Sequence, residues 1–478
     1  SWPRPSTWFK SESPAMNDFN RSTRRAFVQR MGQLGLAGAA APWALNLAAM
    51  SEAAAQSSTA NDYKALVCVF LYGGNDHWHT VPPYDSASHA EYLRIRTTIA
   101  HARDALAATA LPGGNGLPDG RQVALAPDLA PLKTLFNLGT LGILLNVGTL
   151  VQPTTKAQYT AANVPLPPKL FSHNDQQSVW QSSNPEGATS GWGGRMGDLF
   201  LSSNGRTTFT CVNASGNAVF MSGREAVQYQ VSTAGAVAMR GITAPLFGSQ
   251  ACSEALRQLV TTSHPHLMRS EYARITGRAI EAQATLSTAL AATPALKTTF
   301  PTVGNLGLQL QMVARMIAAR DRLNVRRQVF FVSLGGFDMH DFLVTAHPGL
   351  MQQFAGALTA FQSAMGELGV AQQVTTFTAS DFGRTLTSNG DGSDHGWGSH
   401  HFVMGGAVQG GRFYGQLPQV AVNGPDDVGQ GRLLPTTGVD QLAATLATWM
   451  GVNASDLPLV VPNIGNYSVR DLGLMRRV

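Results

Sequence analysis

The sequence predicts an α/β fold built on a central, mostly parallel sheet, and three observations carry that expectation. Apolar runs of strand length end in turn-forming residues, at 65–72, 328–334 and 374–378. Between two of them, Leu350, Phe354, Leu358, Phe361 and Met365 recur at helical spacing on one face. The chain has 478 residues with 13% charged, 49 Gly and 25 Pro. That composition suits a loop-rich α/β protein and argues against a coiled coil or a disordered chain.

The elements follow in order. Arg24-Arg25 precede an apolar, Gly- and Ala-rich run from Met31 to Met50, and Ala53-Ala54-Ala55 offer a small-residue cleavage point before Gln56. This is the layout of a twin-arginine export signal within residues 1–56, with Met16 as a plausible start. Gly32, Gly35, Gly38, Pro42 and Asn46 interrupt the run, so a cleaved signal is expected and not a lasting membrane span. The expected location is periplasmic or extracellular, with the twin-arginine machinery as a partner. Much of the net charge of +5 sits in this leader, and no basic stripe interleaves with aromatics, so nucleic acid is not an expected partner. Cys68 reads as a buried small side chain, while pairing of Cys211 with Cys252 stays open.

In residues 57–478 the run 65–72 reads as a buried strand, Leu129 to Phe136 as a helix and Leu141 to Val147 as a second strand. Residues 195–325 break the alternation and read as an insertion or cap. Short strands are expected there at 207–212 and 218–221, and helices at 265–291 and 306–322. The alternation resumes with the strands at 328–334 and 374–378, and a final helix carries Leu442, Leu446, Trp449 and Met450, stopped by Gly451.

Chemistry-bearing residues gather at strand ends. Gly73-Gly74-Asn75-Asp76, Gly335-Gly336-Phe337-Asp338-Met339-His340 and Ser380-Asp381-Phe382-Gly383-Arg384 each follow a predicted strand, and Asp394-His395 with His400-His401 come next. Loops after parallel strands meet at one sheet edge, so remote residues converge there. Asp oxygens and His nitrogens are what a divalent cation needs. Ser172-His173-Asn174-Asp175 precede a short helix expected at Gln176 to Gln181, and a helix N-terminus favours an anion. Each reading has a plainer rival. Asp76 can cap a turn, Ser172 can cap a helix, and Arg384 can be a structural ion-pair partner. His77, His79, His89, His101, His264, His266 and His347 read as surface or loop residues.

These segments, with Phe171-Ser172-His173-Asn174-Asp175-Gln176-Gln177, resemble an exported bacterial family that carries the domain-of-unknown-function label fifteen-oh-one. It is grouped with the alkaline phosphatase-like and sulfatase-like fold. The resemblance implies a three-layer sandwich. It further implies one or two divalent ions (zinc, manganese, calcium or magnesium not distinguished) held by Asp76, Asp338, His340, Asp381 and a histidine among His395, His400 and His401. Phe382 stands where a histidine is usual, so either His395 substitutes or a single ion binds. Ser172 is the implied nucleophile, His173 a ligand or acid/base group, and Arg384 a hold on an oxyanion. The expected function is metal-dependent hydrolysis of phosphate or sulfate esters, on a small or polymeric anionic substrate. The alternative is a non-catalytic exported binding or assembly module with a degenerate site.

Overall fold

The computed structural model describes residues 62–118 and 120–476. The expected signal and its cleavage point lie outside them. Ten strands join one sheet: β1 (Lys64–Leu71), β2 (Leu141–Gly148), β3 (Cys211–Asn213), β4 (Tyr229–Ser232), β5 (Gly235–Ala236), β6 (Arg327–Leu334), β7 (Val374–Ser380), β8 (Ser399–Gly405), β9 (Phe413–Gly415) and β10 (Thr437–Gly438). Their order is β10-β2-β8-β7-β1-β6-β3-β4-β5, with β9 also beside β2. The centre is parallel. Cys68 of β1 lies opposite Phe331 of β6 on one side and Phe377 of β7 on the other. β8 runs antiparallel to β7 and β2.

The continuous apolar runs make sense because both faces of the sheet are covered. The strand period of two sends Ala65, Val67 and Val69 to one face and Leu66, Cys68 and Phe70 to the other. On the first face lie α3 (Ala130–Asn137), α8 (Leu306–Ala318) and α9 (Leu343–Glu367), which bury Phe136, Leu310, Val313, Phe354, Leu358 and Phe361. On the second lie α5 (Trp192–Phe200) and α10 (Val439–Met450), which bury Trp192, Met196, Leu442 and Leu446. Each such side chain contributes about 1.5–3 kcal/mol of burial. The outcome is the expected α/β sandwich with a mostly parallel sheet. The final helix ends as its sequence foretells, with Gly451 left-handed at φ +107°.

Residues 195–325 do not all stand apart. β3 pairs with β6 in the main sheet, and α8 lies in the covering layer. Strand structure is confined there to β3, β4 and β5; residues 207–209 and 219–221 form short 3-10 turns instead. Helices α6 (Gln250–Thr261) and α7 (Leu267–Ala291) follow. Cys211 is buried in β3, Cys252 is exposed, and both are free. Among the described residues no helix is long and apolar enough to cross a membrane.

Two further helices matter to the site, α1 (His77–Thr80) directly after the β1 loop and α4 (His173–Ser182).

Candidate metal centre

β1, β6 and β7 are parallel neighbours, so the loops after them share one edge. Glycine lets them touch. Gly73 has φ +113°, and a Cβ there would sit 2.4 Å from the Asp338 nitrogen. Gly74 has φ +80°, and its Cβ would meet the Phe382 ring at 2.5 Å. A side chain at either position would strain the backbone and push the loops apart.

Arg384 then ties the loops together. Its guanidinium is almost fully buried and donates to the carbonyls of Gly73, Gly74, Phe337 and Ser393 and to Asp338 Oδ1, and its Nη1 also lies 3.5 Å from His340 Nε2. With its donors so engaged, Arg384 positions Asp338 and has no free face for a substrate oxyanion. Beside it, Gly383 and Thr385 exchange backbone hydrogen bonds with Gly396, Trp397 and Asp394, which sets His395 against Arg384.

Around Asp338 three imidazoles converge through Nε2. His395 Nε2 lies 3.1 Å from His173 Nε2 and 3.0 Å from His340 Nε2. Asp338 Oδ1 is 3.2 Å from His395 Nε2 and 3.2 Å from His340 Nε2, and Oδ2 is 3.4 Å from His173 Nε2. The opposite nitrogen of each ring faces an acceptor: His173 Nδ1 to Asp381 Oδ2 at 2.6 Å, His340 Nδ1 to Asp394 Oδ1 at 3.1 Å, His395 Nδ1 to the Phe171 carbonyl at 2.8 Å. These partners assign the ring proton to Nδ1 and leave each Nε2 with a lone pair. Lone pairs 3 Å apart repel unless positive charge lies between them. A single proton can bridge one of the two His395 contacts, whereas one cation can lie within reach of His173, Asp338 and His395 together.

The electrostatics of His395 and Asp338 agree, while those of His173 favour its protonated form when no cation is bound. Burial pushes the His395 imidazole below its ordinary range, which favours the neutral ring. His173 is raised, chiefly by its hydrogen bond to Asp381. For Asp338, burial works upward but is outweighed by Arg384, which holds the carboxyl down at about 2. The group opens to solvent, with the Asp338 side chain 48% exposed. His173, Asp338 and His395 have ligand atoms within 4.8 Å of one another.

The other expected residues lie elsewhere. Asp381 stands behind His173, its Oδ2 accepting from His173, Gln177 and the Gly73 N–H. Ser172 opens α4, and its hydroxyl donates to Asp175 Oδ2 at 2.9 Å. Asp76 is buried in an ion pair with Arg96 at 2.6 Å and also accepts from Ser393 and the His79 N–H. His400 and His401 are consecutive in β8, so they point to opposite faces. His400 meets the His77 ring and His401 the Trp180 ring. His77, His79, His89 and His347 are buried, contrary to the surface placement expected for them. His79 and His347 contact each other through Nδ1 at 3.0 Å, and His347 Nε2 faces Asn75 Oδ1.

Two contributors escape sequence reasoning. The Phe171 carbonyl reaches His395 because Phe171 is left-handed at φ +73°, a conformation that non-glycine residues seldom adopt. Asp394, named in the sequence only within a ligand cluster, instead accepts from His340 Nδ1. Phe382, in place of the usual histidine, lies with its ring 4.8 Å from His173 and 4.7 Å from His395.

Residues 63–459 match the family described as "Protein of unknown function (DUF1501)". No curated protein matches the chain. Among solved structures, the chain is similar to the lipoteichoic acid synthase LtaP from Listeria monocytogenes (TM-score 0.32, 9% identity, 84% of this chain and 76% of that one). It is also similar to the PsFucS1 sulfatase from Pseudoalteromonas sp. (TM-score 0.34, 9% identity, 90% and 75%). A third is a mutant of the alkaline phosphatase PafA (TM-score 0.26, 11% identity, 68% and 63%). Likeness at these scores carries no argument about activity.

Proposed function

The chain belongs to the DUF1501 family, and from that premise we propose that it is an exported, metal-dependent hydrolase of phosphate or sulfate esters. The observation that supports this most is the meeting of three imidazole Nε2 atoms with the Asp338 carboxylate at 3.0–3.4 Å. His173, Asp338 and His395 are the residues that would hold the cation, with His340 beside His395. When bound, a divalent cation supplies Lewis-acid polarisation of a phosphoryl or sulfuryl oxygen.

This chain's own residues do the rest. Arg384 fixes the Asp338 carboxylate, and Asp381, Asp394 and the Phe171 carbonyl fix the three rings. Ser172, next to His173 at the α4 start, is the hydroxyl candidate for attack on the ester. Its proton already points at Asp175 Oδ2, the acceptor it would leave toward. The Phe382 ring supplies an apolar wall under His173 and His395. Export rests on the twin-arginine pattern around Arg24-Arg25.

The test is a panel of phosphate and sulfate monoesters assayed with metal-loaded and chelator-treated protein, beside His395→Ala and Ser172→Ala. Hydrolysis that needs metal and His395 supports the reading. Loss in Ser172→Ala assigns the attack to the serine, and retention assigns it to water. No turnover across the panel under metal loading leaves the binding-module alternative, in which the group holds an ion without chemistry.

A further inference from the structure

We propose that this centre takes a single zinc-type transition-metal ion and discriminates against calcium and magnesium. The proposal rests on reading the group as a metal centre and deepens it by naming the class and number of ions.

The class follows from the donor atoms. Calcium takes six to eight oxygen ligands, and magnesium is bound through carboxylates and waters. Here the converging donors are the Nε2 atoms of His173 and His395 and the Asp338 carboxylate, with His340 Nε2 3.0 Å from His395 Nε2, a set that suits zinc, iron, copper or nickel. Only one carboxylate faces the three Nε2 atoms, so the oxygen count that a hard ion needs is missing from the side chains. The outer contacts favour the same class. A metal-bound imidazole characteristically donates its other N–H to a carboxylate or a carbonyl, which orients the ring and raises its basicity. All three rings do so, to Asp381, Asp394 and Phe171. The left-handed backbone of Phe171 has a reason in this arrangement, since it aims the carbonyl that holds His395.

The number follows from what surrounds the group. A second ion needs a second donor set at the same edge. Asp76 is committed to Arg96, Ser393 and the His79 amide. Asp381 Oδ2 already accepts three N–H groups, and its Oδ1, buried without a hydrogen-bond partner, is one atom. Phe382 gives a hydrocarbon ring where a further imidazole is expected. His400 and His401 lie in β8 facing other rings.

The experiment is a titration of chelator-treated, full-length protein with Co²⁺, followed by visible absorption and by calorimetry. Competition by Zn²⁺, Ca²⁺ and Mg²⁺ comes next. The expected result is one Co²⁺ per chain with ligand-field bands of a low-coordinate, nitrogen-rich site. Equimolar Zn²⁺ abolishes the bands, and a large excess of Ca²⁺ or Mg²⁺ leaves them. Asp381→Asn, an outer-contact change, weakens Co²⁺ affinity by about 10–100-fold and His395→Ala by more. Circular dichroism checks that both variants are folded; if one is not, Asp394→Asn takes its place, with the Asp381→Asn expectation. Displacement of Co²⁺ by Ca²⁺ or Mg²⁺, or two equivalents of Co²⁺, overturns the proposal while the metal-centre reading stands. Failure to bind any of the four ions overturns both. Ester turnover is read separately and decides only the hydrolase.

Discussion

Two groups of histidines sit within one short stretch of sheet edge, and they differ in what faces the rings. In the open group, His173, His340 and His395 turn their second nitrogens to oxygen acceptors and present Nε2 to Asp338. In the buried group, His79 meets His347, His77 meets His400 and His401 meets Trp180. The carboxylate there, Asp76, is already neutralised by Arg96. The buried group even holds more imidazoles, five against three. What separates the open group from packing is the tautomer each ring is held in and a carboxylate that, although ion-paired with Arg384, stays solvent-open and turns both oxygens to ring nitrogens.

The largest expected effect that breaks this comparison is on acid stability. Burial lowers His347 and His400 to about 4 and His401 to about 3, from 6.5. The unfolded chain therefore binds more protons than the folded one between those values and 6.5. Stability is full above pH 6.5 and falls as the pH drops toward 4, by about 2 kcal/mol per ring at pH 5. Asp76, also depressed, adds its loss only below its unfolded value of 3.8. Urea unfolding at pH 7.5, 6 and 5 should show this decline. A flat profile would mean that the rings are not buried neutral.

Next in size is Arg96→Met. It leaves the Asp76 charge buried without its partner and should cost about 3–5 kcal/mol in urea unfolding. His395→Ala sharpens the contrast from the other side. It should reduce metal-dependent turnover at least roughly 100-fold. Because the ring is in a solvent-open group, unfolding free energy of the chelator-treated protein should move by no more than about 0.5 kcal/mol. The last effect is expected from Gly74→Ala, where positive φ and the clash with the Phe382 ring together cost upward of about 1 kcal/mol, read as a lowered melting temperature.

Much of the open group was legible in the chain. Asp338, His340 and His395 follow buried strands or Gly-rich turns, and parallel topology brings such positions together. The same pattern misplaces Asp76, because nothing in Gly73-Gly74-Asn75-Asp76 announces that Arg96 folds back onto it. His400 and His401 look like loop ligands until β8 is seen to include them. His79 and His347 lie far apart in sequence and are buried by pairing with each other, which no periodicity encodes. The Phe171 carbonyl leaves no trace in side-chain identity at all. The sheet was easier to read than the site, because a strand covered on both faces announces itself in composition. Residues 195–325 read as a cap because the short strand β3 is too brief to show a run.

The most direct test is elemental analysis of the metal-loaded, gel-filtered protein beside His395→Ala and Asp338→Asn. One transition-metal ion per chain in the wild type, and a clear loss in both variants, is the predicted result. Equal metal content in all three proteins, or none in the wild type, would contradict the account.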